Sequence, residues 1–141
     1  MADAFYQEFR NAIFGEFTHS VIDLSSGGNT ISVALRDEGA LALDLAGDVD
    51  EADISTGIVA QNTVGSQTVG VAGVGAFDHA DVTFTAVSGA SVESLDYFKD
   101  TGTPTTSPLI CNIDSATGLP VTPNGGDITW APAAGGVFQI T

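Results

Sequence analysis

The feature that most constrains this chain is a succession of short β-type runs separated by turn-forming residues. In residues 30–37, Ile31, Val33 and Leu35 alternate with other residues, as expected of a strand with one buried face. In residues 58–77, repeated Val-Gly steps favour extended chain with bends, because glycine gives a helix little support. Runs of this length and spacing predict an all-β fold, a sandwich or barrel-like domain of about eight short antiparallel strands.

A leucine-rich segment followed by acidic residues allows two interpretations. Leu41, Leu43 and Leu45 alternate as in a strand, although Ala and Leu are also good helix formers. We expect a short strand and then an acidic loop. Oxygen-rich loops can hold Ca²⁺, but these acids do not fall at the offsets that a calcium-binding loop requires, so a solvated loop is favoured over a metal site. Its acidic residues are Asp48, Asp50, Glu51 and Asp53.

The second half of the chain carries the clearest turn signals. Residues 82–87 and 92–98 flank a Ser-Gly-Ala-Ser turn, which predicts a β-hairpin with Val82, Phe84 and Ala86 on one face of its first strand. A long polar turn rich in Gly, Pro and Thr joins two later strands. The later strands are predicted at residues 108–114, 127–130 and 135–141, and the long turn at residues 114–127.

The N-terminus has a different pattern. Phe5, Phe9 and Ile13 recur at i, i+4 and i+8, which places them on one face of a helix. We therefore predict one domain, with a helical segment over residues 1–17 and a β core over residues 18–141. The apolar face is expected to dock on the sheet or on a neighbouring subunit.

The charge balance excludes several classes of partner. The 141 residues include 18 acidic and 3 basic ones, a formal net charge of −15. Binding to a phosphate backbone needs clusters of Lys and Arg, so nucleic acid and anionic membrane are not expected partners. The acidity fits a soluble protein in a salty medium, or the outer surface of a large assembly.

Cysteine content and hydropathy limit the remaining possibilities. Cys111 is the only cysteine, so no internal disulfide is possible, and its apolar neighbours predict a buried small side chain. The sequence has no basic and apolar leader pattern and no run of about 20 apolar residues. We expect synthesis in the cytoplasm without export.

No catalytic set or cofactor site is predicted. His79 lies between Asp78 and Asp81, which could orient it as a base, but no Ser or Cys nucleophile motif accompanies it. A surface histidine is the favoured interpretation. Tyr97 and Trp130 could stack on a sugar or base, although a core or interface role is favoured. The glycine pattern does not match the dinucleotide-binding fingerprint.

Three segments carry a resemblance to a known family: residues 80–89, 97–110 and 113–130. They contain "ADVTFTAVSG", "YFKDTGTPTTSPLI" and "IDSATGLPVTPNGGDITW". The chain is similar there to small virion proteins encoded in the structural-gene clusters of tailed bacteriophages, with a looser match at residues 31–37. The resemblance implies a non-enzymatic protein of the capsid decoration or cement type. Such a protein would bind the major capsid protein on the head exterior, and a trimer is expected.

Two sets of residues are then expected to contact a partner. Phe5, Phe9 and Ile13 would dock the N-terminal helix on a neighbour, and the turn at residues 114–127 would form a contacting loop. Two alternatives remain. One is a vertex turret, head-fibre base, or neck or tail component, and the other is a host-surface or glycan-binding module using Tyr97 or Trp130. Within the turn, the predicted contact residues are Asp114, Pro120, Pro123, Asn124 and Asp127.

Overall fold

The computed structural model describes residues 3–13 and 22–140, and in them the fold is all-β with two short helices. The helices are α1 (Gln7–Ile13) and α2 (Glu51–Ile54), and 3-10 turns occur at Ser55–Gly57 and Pro104–Thr106. The strands are β1 (Ala4–Phe5), β2 (Ile31–Arg36), β3 (Ile58–Thr63), β4 (Thr68–Val69), β5 (Ala76–Asp78), β6 (Val82–Phe84), β7 (Ser94–Lys99), β8 (Leu109–Ile113), β9 (Ile128–Trp130) and β10 (Phe138–Gln139).

The strands form three antiparallel sheets. A five-stranded sheet has the order β1-β8-β7-β2-β3, a three-stranded sheet the order β10-β5-β4, and β6 and β9 form a two-stranded sheet. The main core lies between the large sheet and the two small ones, and it joins Ile31, Val33 and Leu35 to Phe77 and Phe84. The predicted sandwich-like all-β fold with a short N-terminal helix is thereby confirmed.

The five-stranded sheet is buried on its second face as well. Every residue of β2, β7 and β8 is buried, whereas alternation would leave every other one exposed. The covering segment, residues 37–57, packs Ile54 and its leucines against Tyr6, Phe98 and Leu109. The central strands therefore lie between two hydrophobic clusters.

The predicted strand at residues 41–45 was wrong, because no strand lies between residues 37 and 49. The guanidinium of Arg36 fixes this segment instead, donating hydrogen bonds to the carbonyls of Leu41 at 3.2 Å and Ala42 at 3.0 Å. With its carbonyls bound to a side chain, the segment satisfies its backbone without a neighbouring strand. Its leucines alternate because they cover a sheet, although they do not belong to one.

The acidic residues that follow were expected in a loop, and they start a helix. The side chain of Asp50 accepts a hydrogen bond from the amide of Ala52 at 3.0 Å, and that of Asp53 accepts from the amide of Asp50 at 3.2 Å. This reciprocal capping begins α2 and satisfies amides that a helix start leaves unpaired.

The predicted hairpin between residues 82–87 and 92–98 was also wrong. β6 pairs with β9, and β7 lies between β2 and β8. At Ala86 the backbone φ is 52°, which turns the chain out of the strand, so Ala86 is exposed while Val82 and Phe84 are buried. The turn thus sends the two runs into different sheets.

The N-terminal segment is a strand followed by a helix, so the helix predicted over residues 1–17 was wrong at its start. Ala4 and Phe5 form β1 and lie opposite Asn112 and Cys111 of β8. Pairing with β8, at the edge of the sheet that β1 itself forms, satisfies backbone groups that a first helical turn would leave open. The predicted end of the helical segment lies outside the described residues.

A buried polar network ties the N-terminus to the sheet. Asp96 accepts hydrogen bonds from the Tyr6 hydroxyl at 2.7 Å, from Nη1 of Arg36 at 2.9 Å and from Nδ2 of Asn112 at 2.8 Å. Burial, with a further contribution from Asp96, raises the pKa of Tyr6. Burial opposes the charge on Arg36, but Asp96 outweighs it and the pKa of Arg36 is raised. Removing one partner of such a pair leaves the other charge buried and uncompensated.

Burial also removes most of the positive charge from the surface. Of the three cationic residues, Arg36 is 0% and Lys99 8% exposed, and Arg10 in α1 is exposed. Two acids, Asp96 at 0% and Glu51 at 7% exposure, are buried as well, so the outer surface keeps the strongly anionic balance of the composition.

Candidate functional site

A groove follows the long turn that the sequence indicates as a contact loop. Its walls are the end of β8 with the following residues 115–121, and β9 with residues 131–137. It consists of adjoining cavities of about 460 and 240 Å³, and Ala116, Thr117, Thr129 and Trp130 line both. We call it the turn groove. Its combined volume is in the range of sites that hold small ligands or peptide segments.

Hydrogen bonds at both ends hold the turn in place. At one end, the carboxylate of Asp3 accepts from the amides of Asp114 and Ser115, each at 3.0 Å, and from the Ser115 hydroxyl at 2.6 Å. At the other end, Asp127 accepts from the amide of Ala86 at 2.9 Å. The wall formed by the turn is thus connected to the N-terminus and to the segment after β6.

The middle of the turn has the backbone features expected of its residue types. The Leu119–Pro120 peptide bond is cis, and Gly118 has a φ of 98° that disfavours residues with a Cβ. The side chain of Asn124 accepts a hydrogen bond from the amide of Gly126 at 3.0 Å, which closes a local turn.

The predicted contact residues of the turn occupy different positions. Asp127 lines the smaller cavity of the turn groove, whereas Asp114, Pro120, Pro123 and Asn124 line neither cavity. Pro120 and Asn124 are exposed, and the other two are partly buried. Thr117 and Thr129 lie on opposite walls of the groove. They could not be predicted from the sequence, because only the pairing of β9 with β6 places them opposite each other.

A chain of hydrogen bonds runs from the turn groove into the core. Nε1 of Trp130 donates to the hydroxyl oxygen of Tyr97 at 2.5 Å, and Nε2 of His79 lies 2.7 Å from the same oxygen. Nδ1 of His79 lies 2.7 Å from the carbonyl of Ala80, which can only accept, so Nδ1 carries the hydrogen and Nε2 accepts from Tyr97. The chain fixes the Trp130 ring beside the groove.

The expected surface position of His79 was wrong, whereas the burial of Tyr97 agrees with the favoured core role and excludes the alternative use of Tyr97 for stacking. His79 is 6% exposed and Tyr97 0%. Burial lowers the pKa of His79, although the carbonyl of Ala80 and the carboxylates of Asp78 and Asp81 oppose this shift. Both ring nitrogens of His79 have partners, and burial raises the pKa of Tyr97. Trp130, half-buried at the groove, remains available for stacking.

A second candidate surface is apolar. The large hydrophobic side chains that stand most exposed among the described residues come from the end of α1, from β4 and the β4–β5 connection, and from the residue after β10. We call them the aliphatic patch: Ile13 at 50% exposed, Val69 at 48%, Val71 at 79%, Val74 at 87% and Ile140 at 42%.

Three of these five side chains meet at one place, although they come from different elements. Ile13, Val69 and Ile140 line one shallow cavity of about 380 Å³. The Gln139 side chain donates to the carbonyl of Val74 at 2.6 Å, and the amide of Ile140 donates to that of Gly75 at 3.2 Å. These bonds hold the β4–β5 connection against β10, so its valines remain in solvent beside the cavity.

The predicted docking residues of the N-terminus are divided between core and surface. Phe5 and Phe9 stack at 5.2 Å, and the ring of Phe5 meets that of Phe138 edge-on at 5.0 Å. Phe9 is 5% exposed, so its partners lie within the same chain. Ile13 is the member of the set that solvent or another protein can reach. The valines of the aliphatic patch were missed, although apolar residues in a glycine-rich turn are a signal of exposure.

The remaining candidate chemistry concerns the single thiol and the acidic side chains. Cys111 is 1% exposed, which confirms the expected buried side chain, and burial raises its pKa well above the usual value. In residues 3–13 and 22–140, no three His, Cys, Asp or Glu side chains are grouped so as to hold a metal ion. No helix of the same residues has the length and apolar character needed to cross a membrane.

Comparison with known proteins leaves the family open. No model of a known protein family matches the chain, and no curated protein matches it. Function is therefore inferred from the turn groove and the aliphatic patch, together with the resemblance seen in the sequence.

Proposed function

We propose that this chain is a non-enzymatic structural protein of a tailed-phage virion. In this role it is a capsid decoration protein that binds the major capsid protein on the head exterior and stabilises the shell. The observation that carries the proposal is the aliphatic patch of this strongly acidic protein. Three of its exposed hydrophobic side chains line one cavity, and the other two stand on the connection that is hydrogen-bonded to β10 beside it. A grouping of this kind marks a protein-binding surface, whereas scattered apolar residues do not.

The patch can contribute substantial binding energy. Full burial of a Val or Ile side chain contributes about 1.5–3 kcal/mol, and Val71 and Val74 start from 79% and 87% exposure. The entropy lost on association offsets part of this favourable free energy of burial. Many copies on one shell add their contacts, and a homo-oligomer, for which we propose a trimer, would engage several capsid subunits together.

The rest of the fold suits a protein that bears load and carries out no reaction. The central strands lie between two hydrophobic clusters, and the long turn is held at both ends by carboxylates. A scaffold of this kind holds its contact surfaces in fixed geometry, which lowers the entropic cost of binding.

The decisive experiment is the copy number of this protein in purified virions, measured by quantitative mass spectrometry against the major capsid protein. Copies comparable in number to the capsid protein are expected. A few copies per particle would indicate the alternative role as a vertex turret, head-fibre base, or neck or tail component. Absence from the particle would overturn the virion assignment.

One observation favours a second candidate, a host-surface or glycan-binding module. Trp130 lines the turn groove beside the hydroxyls of Thr117 and Thr129, and an aromatic ring next to polar groups suits a sugar. Saturable binding on a glycan array that Trp130→Ala abolishes would select this function. Tyr97, fully buried, has no part in it.

A further inference from the structure

The turn groove borders an unpaired strand edge. β9 pairs with β6 alone, in a two-stranded sheet, so its second edge has no strand partner among the described residues. No residue of β6 lines either cavity of the groove, whereas Thr129 and Trp130 line both. The groove therefore opens on the side of β9 away from β6. An unpaired edge next to an open groove is a template for an added strand.

The opposite wall allows another backbone to come close. Ala116, Thr117 and Gly118 line the smaller cavity at the end shared with the larger one, and larger side chains such as Leu119 line the rest of it. Ala133 and Gly136 line the larger cavity. Short side chains leave the space of the groove to an incoming main chain, which needs neighbouring strands about 4.8 Å apart. The bonds from Asp3 and Asp127 fix the wall and so keep the groove open.

The charges indicate the chemistry of the occupant. Asp3 lines the larger cavity and Asp127 the smaller one, and neither cavity is lined by Lys or Arg. The whole chain carries a net charge of −15, so a second copy would meet like charge at this site. A basic segment from another protein is complementary to it.

We infer that the turn groove binds an extended, basic segment of a partner protein, which adds to β9 as a third antiparallel or parallel strand. Main-chain hydrogen bonds to β9 supply affinity, and small side chains on alternate positions of the segment fit the opposite wall. The inference does not depend on the capsid role, since the turn groove and the cavity of the aliphatic patch share no lining residue.

The test uses the full chain and three synthetic hexapeptides. The first is Lys-Thr-Val-Thr-Val-Lys, the second has its central amides N-methylated, and the third replaces both Lys by Glu. We expect the first peptide to shift the amide NMR signals of Thr129, Trp130 and Ala131. N-methylation removes main-chain donors, and Glu reverses the charge, so each change should weaken binding at least about tenfold.

Two variants make the site assignment falsifiable. Thr117→Trp fills the groove from the exposed wall and should abolish binding, whereas Thr122→Trp, exposed on the same turn but outside the groove, should retain it. Binding that persists in Thr117→Trp, or that N-methylation leaves unchanged, would overturn strand addition, and so would the absence of binding by all three peptides. If the protein self-associates and Thr117→Trp blocks this self-association, the occupant of the groove is a second copy of the chain and not a basic partner. None of these results bears on the copy number in virions, so the two proposals fail separately.

Discussion

The hydroxyl of Tyr6 donates a 2.7 Å hydrogen bond to Oδ1 of Asp96, which lies 90 residues further along the chain. The same carboxylate pairs with Arg36, whose second amino group holds the carbonyls of Leu41 and Ala42. One buried acid thus connects the N-terminal segment, the central sheet and the segment that covers it.

This connection predicts unequal losses of stability. Tyr6→Phe removes the hydrogen bond to Asp96 and a longer one, at 3.3 Å, from Nη1 of Arg36, and should lower the free energy of unfolding by about 1–3 kcal/mol. Asp96→Ala removes the nearer carboxylate from the buried guanidinium of Arg36 and leaves only the longer ion pair with Asp48 at 3.7 Å, so it should lower this free energy by about 3–5 kcal/mol. Urea unfolding followed by circular dichroism measures both. Equal effects of the two substitutions would contradict the central role of Asp96.

The His79–Tyr97–Trp130 chain predicts a loss of stability in acid. Burial lowers the pKa of His79 in the folded protein, while the unfolded value stays near the usual one of about 6.5. As the pH falls below that value, the unfolded state takes up the proton first, so the stability associated with neutral His79 is lost with falling pH. Protonation would also place an N–H against the Tyr97 oxygen that already accepts from Trp130.

The measurement compares the wild type with His79→Gln, whose side-chain oxygen can still accept from Tyr97. Subtracting the pH dependence of the variant removes the effects of the carboxylates that both proteins share. As the pH falls below about 6.5, we expect the wild type to lose stability relative to the variant. The fluorescence of Trp130, the only tryptophan, should change at a lower pH, where His79 of the folded protein takes up its proton. Parallel stability curves for the two proteins would refute the prediction.

Two glycines provide a matched test of the packing beside β10. Gly136 has a φ of 88°, and a Cβ added to it would lie 2.6 Å from the carbonyl oxygen of Phe77. Gly102 has a φ of 79°, with nothing within 4 Å of an added Cβ. Gly102→Ala should therefore lower the free energy of unfolding by only about 1–2 kcal/mol, because alanine disfavours the left-handed backbone conformation. Gly136→Ala should destabilise the protein clearly more, as measured by thermal unfolding. A similar loss of stability at both positions would show that the close approach of Gly136 to the Phe77 carbonyl is unimportant.

The aliphatic patch predicts a loss of binding without a loss of folding. Val74 is 87% exposed, so Val74→Asp should leave the melting temperature nearly unchanged but weaken binding to purified capsid shells at least about tenfold. Ala90→Asp adds the same charge at an exposed position outside the patch and serves as the control. Equal binding by both variants would argue against the patch as the docking surface.

Sequence patterns predicted the elements better than their pairing. Ile31, Val33 and Leu35 alternate over a strand, and that strand is present because local alternation reflects a local geometry. The partner of β6 could not be read in this way. After β6, the amide of Val87 donates to the carbonyl of Gly126 and the carbonyl of Val87 accepts from the amide of Gly125, so the chain continues along the β9 side and the adjacent run does not pair with β6. Pairing between distant segments depends on the whole sheet.

The candidate site was predicted only in part for the same reason. The turn at residues 114–127 was visible from its Gly, Pro and Asn content, but the groove also needs β9 opposite it. His79 was misjudged because its polar neighbours suggested a surface, whereas its ring is buried against Tyr97. A polar side chain gives no sign in the sequence of the partner that makes its burial possible.

The burial of the basic residues has a consequence for proteolysis. Trypsin cleaves after Lys and Arg, and two of the three such residues, Arg36 and Lys99, lie in central strands of the five-stranded sheet. Cleavage at either one requires those strands to open, so its rate follows the stability of the sheet rather than the motion of a loop. The rate of tryptic cleavage at these two residues, which lie on neighbouring strands, therefore measures unfolding of the sheet without any added label.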